Sequence, residues 1–336
     1  MTLDRRIWQG RTDPEDGELG QRFHQKVKSA EDAKTPGVML MGFACDEGVA
    51  RNRGRVGAYG APVEIRKMLA NLPWHHGSLA LYDNGDIHCD DHDLTRAQTL
   101  LANQVAEALK YKQFPLVLGG GHEVAWGSFQ GLANYVAQKC PNIAPKIGII
   151  NFDAHFDLRT PSGASRAGSS GTPFSQIAEH CQKRNWPFHY ACLGVSRASN
   201  TEALFNKAES LSVLAVEDTD FSAANFTAIE DQISTFIAQM DAIYLTIDMD
   251  VFPAATAPGV SAPAAHGVDY SLIEKLIRTI TDAKDADGNR KLKLADIAEL
   301  NPRYDIDNHT SRLAARLVWT ITRSLSTPEE PQGVTQ

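Results

Sequence analysis

The amino-acid sequence predicts an α/β fold built on a mainly parallel sheet. The chain has 336 residues, enough to bury a large core without disulfide bonds. Short apolar runs recur along it, separated by longer segments with helical patterns, and several runs lack polar alternation. Strands buried on both faces have this pattern, because helices cover both sides of a parallel sheet. The eight runs are 38–43, 79–82, 115–118, 147–152, 189–195, 212–216, 243–248 and 293–298.

The segments between the runs complete the prediction. Residues 123–138 and 269–284 have the pattern of crossover helices, and Ser271 is expected to cap the second of them. An open doubly wound sheet and a closed eight-stranded barrel both fit this order, and both place chemistry at the carboxyl ends of the strands. The predicted organisation is an irregular N-terminal extension (1–36), a single catalytic domain (37–326) and a flexible tail (327–336).

Composition excludes several classes of partner. The net charge is -8, from 33 Lys and Arg against 41 Asp and Glu, and no long basic run occurs, which argues against nucleic-acid binding. The longest apolar runs, such as 37–45, fall short of the ~20 residues that span a bilayer. No secretory signal is visible at the N-terminus, and the five cysteines form no close pair. We therefore expect a cytoplasmic protein that does not contact a membrane.

Ionisable side chains follow four of the apolar runs. Residues spaced by two along an extended chain point to one side, so the acids and histidines of one strand end can converge on one pocket. The alternative is that the aspartates cap the helices that follow them and His155 only packs in the core. The side chains are His122 and Glu123 after 115–118, Asp153, His155 and Asp157 after 147–152, Asp248 and Asp250 at the end of 243–248, and Glu299 after 293–298.

This cluster predicts a metal site. Four aspartates crowded together would repel one another and partly protonate, and two divalent cations would balance their charge. His122 and His155 complete the ligand set, and oxygen ligands mixed with imidazole favour Mn²⁺. Two ions about 3.5–4 Å apart can lower the pKa of a shared water, so the predicted reaction is metal-assisted hydrolysis at carbon or phosphorus. No G-x-S-x-G elbow, H-E-x-x-H or phosphate-binding loop is present.

Five motifs resemble those of the ureohydrolase family, which comprises arginases, agmatinases and formimidoylglutamases. The resemblance implies the open sheet, in a three-layer α/β/α fold with a central eight-stranded parallel sheet. It also implies a homo-oligomer. The motifs are GRVGAYGAPVEIR (54–66), GGGHE (119–123), DAHFD (153–157), DMD (248–250) and AELNP (298–302).

The same resemblance implies the roles of the site residues. Two Mn²⁺ ions share Asp153 and Asp248 as bridging ligands, and Glu299 holds the cationic end of the substrate. By motif position, one ion is held by His122, Asp153, Asp157 and Asp248, and the other by Asp153, His155, Asp248 and Asp250.

Three segments, 159–174, 193–201 and 251–267, look most like the formimidoylglutamase branch. That likeness implies hydrolysis of N-formimidoyl-L-glutamate to L-glutamate and formamide, in histidine degradation. Ser170 stands where arginases and agmatinases have a proton-shuttling histidine, so Asp157 or water is expected to carry the proton. Arg159 and Arg197 are expected at the pocket rim, where a guanidinium fork fits a substrate carboxylate.

Three alternatives remain open. A ureohydrolase acting on a guanidine such as agmatine would present acids where this chain has Arg159 and Arg197. A non-catalytic metal-binding protein would not need Glu299. A phosphodiesterase would need a basic phosphate clamp near the metal ligands.

Overall fold

The computed structural model describes residues 3–139, 143–161 and 167–326. Within them the chain forms one open sheet in which all strand pairs are parallel, in the order β1-β3-β2-β4-β9-β8-β5-β6-β7. The parallel α/β prediction is confirmed, and the closed barrel is excluded. The strands are β1 (Lys28–Ser29), β2 (Gly37–Ala44), β3 (Leu81–His88), β4 (Gln113–Leu118), β5 (Ile147–Phe152), β6 (His189–Val195), β7 (Leu214–Glu217), β8 (Ala242–Asp248) and β9 (Leu292–Ala298).

The described sheet has nine strands, so the predicted count of eight is wrong by one. The additional strand is β1, a two-residue edge strand that pairs with Tyr82 and Asp83 of β3. It lies in a polar stretch without an apolar run, so no side-chain pattern predicts it. Only its backbone pairing defines it as a strand. Residues 3–36 of the extension are also more ordered than their polar composition indicates, since Trp8 and Phe23 are buried in the main core. The domain boundaries stay a prediction.

The strand β3 continues well beyond the apolar run 79–82. Its middle is polar, and Asp83 is nevertheless buried. The Arg66 guanidinium compensates by pairing with Asp83 at 2.8 Å and with Asp86, and the Trp8 indole N–H donates to Asp83 at 2.7 Å. A buried acid inside a strand is thus stabilised by a partner distant in sequence.

Helices cover both faces of the sheet. Alternate residues of β2 show this arrangement, since Leu40 belongs to one hydrophobic cluster and Met41 to the other. Helices α3, α8, α9 and α10 pack on the first face, and α4, α5, α6 and α7 on the second. The helices are α1 (Phe23–Lys26), α2 (Glu47–Arg51), α3 (Ala61–Ala70), α4 (Leu94–Lys110), α5 (Val124–Lys139), α6 (Pro173–Lys183), α7 (Glu202–Ser210), α8 (Phe226–Ala238), α9 (Tyr270–Asp282) and α10 (His309–Leu325).

The two predicted crossover helices are present as α5 and α9, but the cap of α9 is not the predicted one. Asp269 is the N-cap, and its carboxylate accepts the backbone N–H of Ser271 at 2.7 Å. No helix among the described residues is long and apolar enough to cross a membrane. The predicted tail 327–336, and residues 162–166 of the segment 159–174, lie outside the described residues.

Candidate metal centre and substrate cavity

Four central, adjacent strands of the sheet, β4, β9, β8 and β5, carry the predicted ligands at their carboxyl ends. His122 follows β4 through three glycines. Gly119 and Gly120 have φ of +59° and +95°, and a Cβ at Gly120 would lie 2.5 Å from the Phe43 carbonyl oxygen. Only glycine fits this close backbone approach, which turns the chain and places His122 at the strand end.

The first group of candidate ligands surrounds the His122 ring. Its Nδ1 lies 3.0 Å from Oδ2 of Asp153, 3.0 Å from Oδ2 of Asp157 and 3.1 Å from Oδ2 of Asp248. None of these contacts has hydrogen-bond geometry, so this buried nitrogen has no hydrogen-bond partner among the described residues. A lone pair facing three carboxylates in a buried site suits a cation bound between them.

The second group lies around His155. Its Nδ1 is 3.0 Å from Oδ2 of Asp250 and 3.5 Å from Oδ1 of Asp153. Asp153 therefore belongs to both groups, as expected for a bridging ligand. Asp248 is grouped with the first set only, so its bridging role stays a prediction.

These side chains were expected to converge because they alternate along an extended strand, but they lie in turns that follow the strands. Strand β5 ends at Phe152, and the chain then bends. The Asp153 carboxylate accepts the His155 N–H at 2.6 Å, and Asp157 adopts a left-handed φ of +47°. Likewise, Asp250 lies in a short 3-10 turn after β8, with its N–H donated to Asp248 at 2.8 Å. Turns, rather than strand periodicity, aim the ligands at one place.

The carboxylates of the cluster stabilise positive charge on the two histidines. Burial would lower the pKa of His122, but the carboxylates around it raise that pKa well above its ordinary value, and the same holds for His155. Burial and the charge of Asp153 raise the pKa of Asp157 to about 6. Protons and divalent cations compete for such groups, and two ions would satisfy the crowded carboxylates together. The residues present therefore fit the predicted binuclear site.

A buried chain of polar groups supports His122 from behind. Its Nε2 lies 3.0 Å from the hydroxyl of Thr246 on β8, and Thr246 pairs in register with Asp296 on β9. The Tyr244 hydroxyl donates to Asp296, which is fully buried. If Nδ1 faces an ion, Nε2 carries the proton and donates to Thr246, whose own proton is left for Asp296.

Sequence reasoning missed both Thr246 and Asp296. Each had a signal. Thr246 lies two residues before Asp248 on the same strand, and Asp296 is an acid inside an otherwise apolar run. Such a residue needs a buried partner.

Glu299 lies at the end of β9 in a left-handed conformation, with φ of +64°. Its Oε1 accepts the backbone N–H of His122 at 2.9 Å, and its own N–H donates to the Gly120 carbonyl at 2.9 Å. Its Oε2 is buried without a hydrogen-bond partner in the described part of the chain. Burial and the neighbouring Glu123 raise the pKa of Glu299 well above its usual range. A cationic ligand beside Oε2 would restore the charged form.

A cavity of about 300 Å³ borders the ligand cluster. Glu299 and Arg159 line it, as expected, and Ser170 lies in its wall. Residues that sequence reasoning did not select individually also line it. The arginines at 51, 53 and 55 were an available signal for the basic residues among them. The missed lining residues are Asn52, Arg53, Gly54, Arg55, Ser199, Asn200, Leu204, Ser261 and Ala262.

Arg197 corrects the expectation that two arginines, at 159 and 197, stand at the pocket rim. It does not line this cavity, and its side chain is 67% exposed. Its guanidinium pairs with Glu217 of β7 and lies 4.2 Å from the centre of the Phe205 ring, within the range of a cation–π contact. The register of β6 and β7, which sets Val195 opposite Glu217, brings this acid next to Arg197.

Comparison with known proteins identifies the family to which this chain is similar. The model of the arginase family matches residues 36–323. A formimidoylglutamase of Photobacterium profundum is 54% identical over 351 residues, covering 96% of each chain. One of Aliivibrio fischeri is 55% identical over 331 residues, covering 95% of this chain and 94% of that protein.

Solved structures share the fold. Formimidoylglutamase from Bacillus subtilis superposes with a TM-score of 0.78 at 22% identity, covering 92% of this chain and 93% of that one. Trypanosoma cruzi formiminoglutamase with two Mn²⁺ superposes with a TM-score of 0.74 at 22% identity, covering 88% and 96%.

Proposed function

The chain belongs to the arginase family, and within that family we propose that it has formimidoylglutamase activity. The reaction is the hydrolysis of N-formimidoyl-L-glutamate to L-glutamate and formamide, a step of histidine degradation. The observation that carries this proposal is sequence identity above 50%, over nearly the whole chain, to proteins of that name. The site supports it, because the cluster of two histidines and four aspartates adjoins a cavity that Glu299 and three arginines also line.

The cofactor is two Mn²⁺ ions per chain. His122, Asp153, Asp157 and Asp248 would hold one ion, and Asp153, His155, Asp248 and Asp250 the other. The grouping of their ligand atoms within 4.8 Å of one another supports this assignment for all but the second role of Asp248. Bound at such a site, the two ions supply Lewis acidity, which lowers the pKa of water and stabilises developing negative charge.

Glu299 binds the protonated amidine of the substrate. Its Oε2 is free to accept an amidinium N–H, since Oε1 is already held by the His122 backbone. A charge-assisted hydrogen bond of this kind also keeps the carboxyl ionised against the effect of burial. Arg159, at the cavity wall, binds a carboxylate of the glutamate part.

Asp157 moves the proton that hydrolysis requires. Water adds to the amidine carbon, and the bond from that carbon to the glutamate nitrogen breaks, leaving formamide and the free amine. Asp157 accepts a proton from the attacking water and donates it to the leaving nitrogen. Asp157 belongs to the ligand cluster and also lines the cavity, so its carboxylate lies between the metal site and the space for the substrate. Ser170 cannot take this role, because a hydroxyl of ordinary acidity is a poor base.

We also propose that the protein is cytoplasmic and homo-oligomeric. The described cysteines are all free, which suits the reducing cytoplasm. The net charge of -8 and the small cavity favour a small-molecule substrate over nucleic acid. Homo-oligomeric assembly rests on the family resemblance alone.

A substrate panel tests the proposed function. Protein loaded with two Mn²⁺ is given N-formimidoyl-L-glutamate, agmatine and L-arginine in turn, and formamide, glutamate and urea are measured. We expect formamide and glutamate in equal amounts from the first substrate and little urea from the others. Agmatine hydrolysis at an equal rate would assign the chain to the guanidine-cleaving branch. Two bound ions with no turnover of any substrate would favour the non-catalytic alternative.

A further inference from the structure

The basic residues around the cavity differ in what their guanidinium groups contact. Arg51 pairs with Glu47 at 2.9 Å and donates to two backbone carbonyls. Arg55 donates to the carbonyls of Ser261 and Val260 and lies 4.1 Å over a tyrosine ring. The guanidinium groups of Arg51 and Arg55 therefore already have protein partners, which they hold together.

Two other arginines of the cavity have no such partners within the described residues. Arg53 and Arg159 both line the cavity, and neither guanidinium makes a hydrogen bond or ion pair within residues 3–139, 143–161 and 167–326. A free guanidinium facing the pocket has its full fork of donors available for an anion. The substrate proposed above has two carboxylates, and the cavity offers two such forks.

The backbone at Arg53 is held in a conformation that side chains disfavour. Its φ is +61°, in the left-handed region. Three hydrogen bonds impose it, since the N–H groups of residues 52, 53 and 54 donate to the carbonyls of Gly48, Ala50 and Val49 at 2.9 to 3.0 Å. Glycine would adopt this φ at lower cost, yet an arginine occupies the position. Strain retained at a cavity wall is typical of a residue whose side chain is used there.

Gly171 brings Arg159 close to the same loop. Its carbonyl accepts the Arg159 N–H at 2.9 Å. A Cβ on Gly171 would lie 3.0 Å from the Arg159 Cδ and 3.0 Å from the Asn52 side-chain oxygen. The missing side chain therefore lets Arg159 pass beside Asn52, the neighbour of Arg53. Both free arginines belong to one wall of the cavity.

We propose that Arg53 and Arg159 together bind the two carboxylates of the substrate, with Arg53 in the role that sequence reasoning expected for Arg197. This inference rests on the proposed function. It also balances charge, because two guanidinium groups face two carboxylates while the Glu299 carboxylate faces the amidinium. The same two cations disfavour agmatine, whose distal end is an ammonium group, and arginine, whose distal end carries an ammonium group beside a single carboxylate.

Kinetics of matched variants test the pair. Arg53→Gly removes the side chain and relaxes the backbone, Arg53→Lys keeps the charge without the fork, and Arg159→Ala removes the second cation. We expect KM for N-formimidoyl-L-glutamate to rise at least about 10-fold in Arg53→Gly and Arg159→Ala, as for a charged hydrogen bond, with a smaller change in kcat. Arg53→Lys should recover part of the loss. Arg312→Ala, at an exposed arginine of α10 outside the cavity, is the matched control.

Truncated substrates show which carboxylate each arginine binds. N-formimidoyl-4-aminobutyrate lacks the α-carboxylate, and N-formimidoyl-L-norvaline lacks the γ-carboxylate. A variant that has lost the matching arginine should be nearly insensitive to removal of that carboxylate, whereas the wild-type protein loses at least about 10-fold in kcat/KM. Equal sensitivity of all variants to both truncations would overturn the proposal.

Binding of glutarate to Mn²⁺-loaded protein separates this inference from the proposed function. We expect calorimetry to detect glutarate binding to wild-type protein and a loss of at least about 10-fold in affinity in Arg53→Gly. If the wild-type protein turns over N-formimidoyl-L-glutamate, but Arg53→Gly has the same KM and the same glutarate affinity, only the proposal for the arginine pair is refuted. Weakened glutarate binding without wild-type turnover refutes only the proposed reaction. A larger KM increase in Arg197→Ala than in Arg53→Gly would return the role to Arg197.

Discussion

Replacing Thr246 with valine removes one hydroxyl from the buried chain behind His122 while keeping the side-chain shape. The His122 Nε2–H then has no acceptor in place of the oxygen 3.0 Å away. A buried donor left without a partner costs about 1–3 kcal/mol. The penalty falls chiefly on the metal-bound state, because binding requires Nδ1 to face the ion and Nε2 to carry the proton.

That free energy corresponds to roughly 5- to 150-fold weaker binding at one of the two ions. The assay is a competition titration of apoprotein with Mn²⁺ against a chelator of known affinity, followed by metal analysis after dialysis. We expect one ion to bind as in the wild type and the other more weakly.

Thr281→Val is the matched control. Thr281 is equally buried, and its hydroxyl donates to the Arg278 carbonyl at 2.9 Å, on a helix away from the site. This variant should lose stability without losing metal affinity. If Thr246→Val binds both ions as tightly as the wild type, Thr246 does not orient His122, and the reasoning from the buried chain is wrong.

Three further outcomes are expected. Glu299→Gln should lower kcat/KM by at least about 10²-fold with two Mn²⁺ still bound, because the amidinium loses its charged partner, and near-normal turnover would make Glu299 structural. Asp153→Ala should reduce the bound metal to less than one ion per chain, whereas His122→Ala should mainly weaken one, and equal losses would argue against bridging by Asp153. His76 is buried with its pKa lowered to about 4, so the unfolded chain binds a proton between about pH 6.5 and 4 that the folded chain does not, and stability falls as pH falls through that window. Urea unfolding with a chelator present should therefore show that the wild-type protein loses about 2 kcal/mol more than His76→Gln between pH 7.5 and pH 5, and an equal change in both would contradict the assignment to His76.

Most of the metal site could be predicted because its residues stand next to strand ends that apolar runs reveal. The run 147–152 marks β5, and DAHFD follows it directly. The geometry of that motif could not be predicted, since the left-handed φ of Asp157 comes from a turn and not from strand periodicity.

Residues placed by tertiary contacts were the ones missed. Arg197 looked available until the β6–β7 register set Glu217 beside it. Ser271 resembled a cap, but the helix begins at Tyr270, so Asp269 is the N-cap and accepts the Ser271 N–H. The two-residue strand β1 has no side-chain pattern of its own, and only its pairing with β3 reveals it.

The strand order has a consequence for how the chain folds during synthesis. Strands β1 to β4 and β5 to β7 form two groups that share no strand pair until β8 and β9 insert between them, and the pairing of Leu116 with Ala295 closes a long loop. Nascent chains that end before β8 therefore present β4 and β5 as unpaired apolar edges, which favour aggregation. The ligand cluster is complete only after this last insertion. Mn²⁺ should accordingly slow unfolding while leaving the rate-limiting folding step unchanged.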